Sequence, residues 1–388
     1  MAMMAIMSSS LSSSAFAPHR CFHLLHRQQK RLGATDTSTS TSASKLGATI
    51  SLATSAGWGK RRPSTAPDRP PATQVEVRAL ADFILNAESL LVITGAGVST
   101  ESSIPDYRSK NGAYSTGFKP MTHQDFMRND ANRRRYWARS FVGWKRFAEQ
   151  TWPNPAHVAL AELQRDGHVW RLITQNVDRL HHAAGSTAVL ELHGTTHEVV
   201  CMSCGSVTPR RRLQRQMAEL NPEIAIAAEA AVHSAVGQAP YDDGFTPSAT
   251  VSSTAAAPLL QTRPDGDVEL NGEAIVDFAV PPCQACPRGG PLKPAVVFFG
   301  DSVPAPVAKA AAAASEDADA VLVIGSSVST FSAFKLVRDA ARRGAPVAIL
   351  TAGETRADDL AALKVETLAG ETLPRVLETI RREEMFGY

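Results

Sequence analysis

The sequence predicts an α/β protein built on a doubly wound parallel sheet. Short apolar runs at 90–93, 320–324 and 346–350 recur along the chain, with helical patterns between them. Runs of that length without polar alternation suit strands buried on both faces, and strand–helix alternation suits a parallel sheet covered by helices. The runs end in small or polar loops such as Gly95-Ala96-Gly97 and Gly325-Ser326-Ser327, which would fall on one sheet edge. Two Cys-x-x-Cys pairs break the alternation. The expected architecture is a Rossmann-like sheet over 75–385, with a helical module and a smaller zinc-binding module inserted at 196–293.

Residues 1–70 stand apart from this pattern. They hold nine Lys or Arg and two Asp, whereas the remainder carries five more acidic than basic residues. Rich in Ser, Thr and Ala, with no acid before Asp36, this stretch reads as a transit peptide followed by a disordered linker. Mitochondrion is the first expectation and plastid the second. The slightly acidic body argues against nucleic-acid binding, and no run reaches the roughly 18 apolar residues of a membrane span.

An amphipathic pattern at 75–88 (Val75, Val77, Leu80, Phe83, Ile84) leads into the first strand. That strand ends at Gly95-Ala96-Gly97, half of a dinucleotide fingerprint, and a strand-to-loop turn of this kind presents backbone N–H groups to an anion. Ser99, Thr100, Asp106, Tyr107 and Arg108 follow, a denser set of polar groups than a core strand needs past its end. Residues 113–165 read as helices, and Tyr136, Trp137, Phe141, Trp144 and Phe147 read mainly as their packing faces. A second strand, 169–174, ends at Gln175-Asn176-Val177-Asp178, where an open parallel sheet places its ligands. A third, 189–192, ends at His193-Gly194. An imidazole there suits a general base near neutral pH, though spacing alone leaves His181, His182 and His197 open.

Cys201/Cys204 and Cys283/Cys286 each leave two residues between thiols, the spacing that brings both to one ion, and four thiolates close a tetrahedral zinc site. The 78 residues between pairs make a long insertion, tolerable because loop-closure cost grows slowly with length. Its Ala-, Ser- and Pro-rich part near 224–262 is expected to be a disordered loop. Alternation then resumes with strands at 294–299, 320–324, 346–350 and 365–368, the last three running into Gly325-Ser326-Ser327, Thr351-Ala352-Gly353 and Ala369.

GAGVSTESSIPDYR, TQNVDRLH, ELHG, CMSC, CQAC, KPAVVFFGD and GSS, in that order, resemble the sirtuins, NAD-dependent protein deacylases. RYWARSFVGW, WPNPAH and TRADDL resemble the class II branch, which includes the mitochondrial sirtuin-4 type. The resemblance spans about 75–380. It implies transfer of an acyl group from lysine to NAD, yielding nicotinamide and O-acyl-ADP-ribose, and one structural zinc on the four cysteines. It assigns catalysis to His193, Asn176 and Asp178. It assigns NAD contacts to these and to Gly95, Ala96, Gly97, Ser99, Thr100, Asp106, Tyr107, Arg108, Tyr114, Gln175, Val177, Gly325, Ser326, Ser327, Thr351, Ala352, Gly353 and Ala369. Thr351 stands where the family usually has Asn. No Tyr-x-x-Arg pair follows Tyr114, so a succinyl or malonyl preference is not expected. Partners would be acyl-lysine proteins and NAD. Mono-ADP-ribosyl transfer and a weakly catalytic NAD-sensing scaffold are the alternatives.

Overall fold

The computed structural model describes residues 64–237, 263–268, 270 and 276–387. Most of the leader, residues 1–63, therefore lies outside the described residues. The main sheet runs through strands β1 (Leu90–Thr94), β2 (Arg171–Thr174) and β3 (Val189–Glu191). After the inserted module, whose strands are β4 (Gly194–Cys201), β5 (Val207–Pro209) and β6 (Leu292–Val296), it continues with β7 (Ala320–Ile324), β8 (Val347–Leu350) and β9 (Leu363–Val365). Its order is β3-β2-β1-β7-β8-β9, and every neighbour pair is parallel. The order reverses at β1, so the chain winds first to one side and then to the other, and a crevice opens at the carboxyl ends where the direction switches.

Every residue of β1, β7 and β8 is buried, which explains why these strands read as unbroken apolar runs. Among the helices, α1 (Gln74–Leu85) begins with a capping box in which Thr73 Oγ1 accepts from the Glu76 amide and Glu76 Oε2 accepts from the Thr73 amide. The helical module holds α2 (His123–Arg128) and α3 (Asp130–Trp144), and α4 (Pro155–Arg165) leads back to β2. α5 (Leu180–Ala183) follows β2, α6 (Arg210–Leu220) and α7 (Pro222–Gly237) belong to the insertion, and α8 (Ala305–Asp317), α9 (Phe331–Arg342) and α10 (Ala369–Phe386) complete the sheet domain. Val77, Leu80, Leu160, Leu163, Leu373 and Ile380 from α1, α4 and α10 fill one side of the sheet; Ala311, Leu336 and Val337 from α8 and α9 fill the other.

A separate apolar cluster joins the helical and inserted modules. Tyr136, Trp137, Phe141 and Phe147 pack there against Leu213, Met217, Phe278 and Phe298, which bears out the packing reading of that aromatic run. Arg210, fully buried, sits between Trp137 and Trp144, with its Cζ 4.8 and 4.9 Å from the ring centroids. It donates to Ser140 Oγ at 2.9 Å and to Gln214 Oε1 at 2.8 Å.

Two expectations are corrected. Residues 224–237 are not a loop: α7 covers them, as alanine-rich sequence favours, and Ile224, Ala225 and Ala228 pack on the aromatic cluster. Residues 238–262 lie outside the described residues. The apolar run at 294–299 does not extend the parallel sheet. Its strand, β6, pairs antiparallel with β4 in a three-stranded sheet ordered β5-β4-β6. An apolar run records burial and leaves the partner strand unspecified.

Candidate active site

The loops after β1, β2, β7, β8 and β9 enclose one cleft of about 1340 Å³. Four of its walls come directly from sequence-predicted segments: Gly95, Ala96, Gly97, Ser99 and Thr100 after β1; Gln175, Asn176, Val177 and Asp178 after β2; Gly325, Ser326 and Ser327 after β7; Thr351, Ala352 and Gly353 after β8. Asp106, Tyr107, Arg108, His193 and Ala369 also line it. Tyr114 does not. It lies behind the wall, its ring 5.6 Å from that of Tyr107 and 5.6 Å from the Arg108 guanidinium. A tyrosine seven residues past Tyr107 returns against it because a short 3-10 turn, Ala113–Thr116, folds the loop back.

Glycine lets the β1 and β7 loops touch. Gly97 donates its amide to the Gly325 carbonyl at 2.8 Å, and a Cβ on Gly97 would stand 2.7 Å from that oxygen. Gly325 itself has φ +57, and its Cβ would come 2.3 Å from the Val98 nitrogen. The gap that reads in sequence as a phosphate-approach feature is thus also a loop–loop contact.

Gln175 is the hub. Its side-chain amide donates to Ser326 Oγ at 2.7 Å and to the Thr94 carbonyl at 3.2 Å, and its Oε1 accepts from Thr330 Oγ1 at 3.1 Å. Its backbone carbonyl lies 3.2 Å from His193 Nδ1. A carbonyl only accepts, so Nδ1 carries the proton and Nε2 is the basic nitrogen. Ser332 Oγ, 2.9 Å away, then donates to Nε2. Burial pushes the His193 pKa below its ordinary 6.5, against the opposing bond to Gln175, so the ring is neutral at pH 7.

Deeper in the cleft Asn176 Nδ2 donates to Ser99 Oγ at 3.1 Å, and Ser99 Oγ donates to Asp178 Oδ2 at 2.7 Å. The Leu180 amide donates to the other Asp178 oxygen at 2.9 Å. Burial raises the Asp178 pKa, and these donors hold it back. Asn154 caps α4 through its Oδ1 and uses Nδ2 to grip the Val98 carbonyl at 2.7 Å, which ties α4 to the β1 loop. Of the histidines that sequence left open, only His193 lines the cleft. His181 Nε2 meets Thr94 Oγ1 at 3.0 Å behind the wall, and His197 meets the Asp178 carbonyl at 3.2 Å.

The Sir2 family model matches residues 95–332, which include every loop of the cleft described so far except those after β8 and β9. The chain belongs to the Sir2 family. An Arabidopsis thaliana relative, NAD-dependent protein deacylase SRT2, is 46% identical over 313 residues, covering 80% of this chain and 79% of the relative. The human NAD-dependent protein lipoamidase sirtuin-4, mitochondrial, is 43% identical over 312 residues, 80% and 88% of the two chains. A solved Sir2–p53 peptide–NAD+ complex superposes with a TM-score of 0.54 at 26% identity, covering 78% of this chain and 98% of that one.

In this Sir2-family chain Cys201, Cys204, Cys283 and Cys286 sit in the inserted module, away from the cleft. Cys204 Sγ and Cys283 Sγ are 3.9 Å apart, and the sulfurs of Cys201, Cys204 and Cys283 lie within 4.8 Å of one another. Zn–S bonds near 2.3 Å put tetrahedral sulfurs about 3.8 Å apart, so these three fit a zinc ion. Cys286 is outside that group, half-buried in the turn where Gly289 donates to its carbonyl.

Sequence reasoning missed Ser332, which orients the imidazole. It also missed Pro67, Asp68 and Arg69, which line the cleft from the stretch assigned to the leader. Nothing in their types signals this; only nearness to Gly325-Ser326-Ser327 hinted at Ser332.

Proposed function

We propose that this protein is an NAD-dependent protein lysine deacylase with the site residues in the roles that follow. One observation carries the reading: a neutral imidazole that lines an open cleft, its basic Nε2 held by the Ser332 hydroxyl, shares that cleft with the glycine loops after β1 and β7 and the Asn176–Ser99–Asp178 chain. Loops after β2 through β9 cross four strand spacings, about 19 Å at about 4.8 Å each, a span suited to an extended dinucleotide.

NAD supplies the electrophilic ribose carbon and takes the acyl group, so that acyl-lysine, NAD and water give free lysine, nicotinamide and O-acyl-ADP-ribose. His193 Nε2 takes a proton from a ribose hydroxyl, while Nδ1–H stays on the Gln175 carbonyl and keeps the tautomer fixed. Asn176 and Asp178 hold the nicotinamide carboxamide, oriented by Ser99. The Gly95–Gly97 turn faces the phosphates, and Ser326, Ser327 and Thr351 face the adenosine ribose. Past His193, Phe299 and Phe331 present exposed aromatic walls at the cleft mouth, which suit an acyl-lysine chain. Cys286 completes the zinc set once its thiolate turns inward, and the metal fixes the inserted module.

The deciding experiment mixes the protein with NAD and acyl-lysine peptides of several chain lengths. Equal amounts of nicotinamide and acylated ADP-ribose support the reading; label transferred to protein without loss of acyl groups points instead to ADP-ribosyl transfer. The basic, acid-poor leader and the mitochondrial relative also support a mitochondrial location. A fluorescent protein fused behind residues 1–63 should enter mitochondria, and accumulation in plastids would contradict this.

A further inference from the structure

The segment just before α1 runs along the cofactor cleft. Thr65 donates from its backbone to the Thr100 carbonyl at 3.0 Å and from Oγ1 to the Ile104 carbonyl at 3.1 Å. Both acceptors belong to the β1 loop. Seven residues on, Ala72 donates to Glu371 Oε2 at 3.1 Å and accepts from Arg375 at 2.7 Å, while the Pro70 carbonyl accepts from Thr367 Oγ1 at 2.9 Å. These partners follow β9. The strap therefore bridges the first and last loops of the nucleotide cleft, and between its anchors Pro67, Asp68 and Arg69 line that cleft. Pro67, Pro70 and Pro71 restrict the backbone, so fixing the strap costs less entropy than fixing ordinary coil. Arg69 is exposed and has no ion pair or hydrogen bond to a described residue.

We infer that residues 65–72 form the outer wall of the NAD site at its adenosine end, with Arg69 as a cationic contact to the nucleotide. The inference rests on the NAD-site reading above. The sheet order sets which end is covered. Asn176 and Asp178 follow β2, on one side of β1, and Thr367 follows β9, at the opposite edge of the sheet. The Pro70–Ala72 end of the strap, tied to Thr367 and Glu371, is thus beside the end of the dinucleotide opposite the nicotinamide pocket, while its Thr65 end rests on the β1 loop. An unpartnered guanidinium there meets phosphate oxygens with charge-assisted hydrogen bonds. The leader must then be processed upstream of Thr65 for the site to remain whole.

ADP-ribose binding to the full chain, measured by calorimetry, tests this. Arg69→Ala should raise the Kd about fivefold or more, with the gap narrowing as salt rises, and Arg69→Lys should recover most of it. Thr65→Val, which removes the hydroxyl bonds to the Thr100 and Ile104 carbonyls and leaves the backbone bond, should also raise the Kd. Inhibition by nicotinamide should not change in Arg69→Ala, since Arg69 adjoins Pro70, whose carbonyl is tied to Thr367 at the opposite end of the cleft. If Arg69→Ala and Thr65→Val both leave the ADP-ribose Kd within about twofold of wild type while wild type binds, the strap role is overturned and the NAD reading stands. Failure of the wild-type chain to bind ADP-ribose overturns both.

Discussion

Histidine 193 is the residue on which the chemistry turns. Removing a positioned general base typically costs about 10²–10⁴ in rate. His193→Ala is therefore expected to lose about that factor in kcat, measured by nicotinamide release, while ADP-ribose still binds. Burial depresses the His193 pKa, so the base stays neutral below 6.5 and the acid limb of kcat/KM should fall below pH 6.5 rather than at it. A limb at or above that value would contradict a desolvated base. Gly97→Ala puts a methyl 2.7 Å from the Gly325 carbonyl, so the two loops must part, and NAD affinity should drop by about tenfold or more in a binding titration. The polar types at Gln175, Asn176 and Asp178 were legible in sequence because nothing in a core strand calls for them. Ser332 was not legible, since only the approach of α9 to β3 makes an ordinary serine the partner of Nε2.

At the level of elements, α6 is held to α3 by Arg210, which donates to Ser140, and by Gln214, whose side-chain amide donates to the Phe141 carbonyl at 2.9 Å. Arg210 is buried between two indoles and hydrogen-bonded on both sides, and burial lowers its pKa to about 10, still well above neutrality. Arg210→Ala should destabilise the chain by about 3 kcal/mol in urea unfolding, because Ser140 and Gln214 lose their donor and the indoles lose their filler. A change below about 0.5 kcal/mol would mean the contact is dispensable. Strands β1, β7 and β8 were readable from apolar run and terminal loop alone. The run at 294–299 was equally readable as a strand, yet its partner was not, because β4 and β6 meet across an insertion whose path the local pattern does not encode. The helix at Pro222–Gly237 was hidden by composition: alanine with serine and proline nearby reads as low complexity, while the same alanines propagate a helix once Ile224 and Ala228 have an aromatic cluster to cover.

For the whole molecule, metal and protons set the limits of stability. Cys201→Ser should lose zinc, seen by elemental analysis, and lower stability by several kcal/mol; retained zinc with an unchanged melt would refute the thiolate site. His157, His181, His193 and His197 all have folded pKa values below 6.5, with burial the largest cause in each; His181 is pushed down to about 3 and His197 to about 4. Below pH 6.5 the unfolded chain takes up protons that the folded chain refuses, so stability is full above that pH and declines as pH falls toward the depressed values. Burial raises the Asp178, Asp265 and Asp267 pKa values and so works in the opposite direction, which makes the histidine share readable only as a difference between variants: the melting-temperature advantage of wild type over His181→Gln should shrink on acidification from about pH 7 to about pH 5, and a constant difference would contradict a buried neutral His181. The most direct test of the central claim is a product balance on the wild-type protein with NAD and an acyl-lysine peptide. The account predicts one nicotinamide and one O-acyl-ADP-ribose for every acyl group removed, with both products lost in His193→Ala. Deacylation that proceeds without NAD, or NAD cleavage with the peptide left acylated, would contradict it.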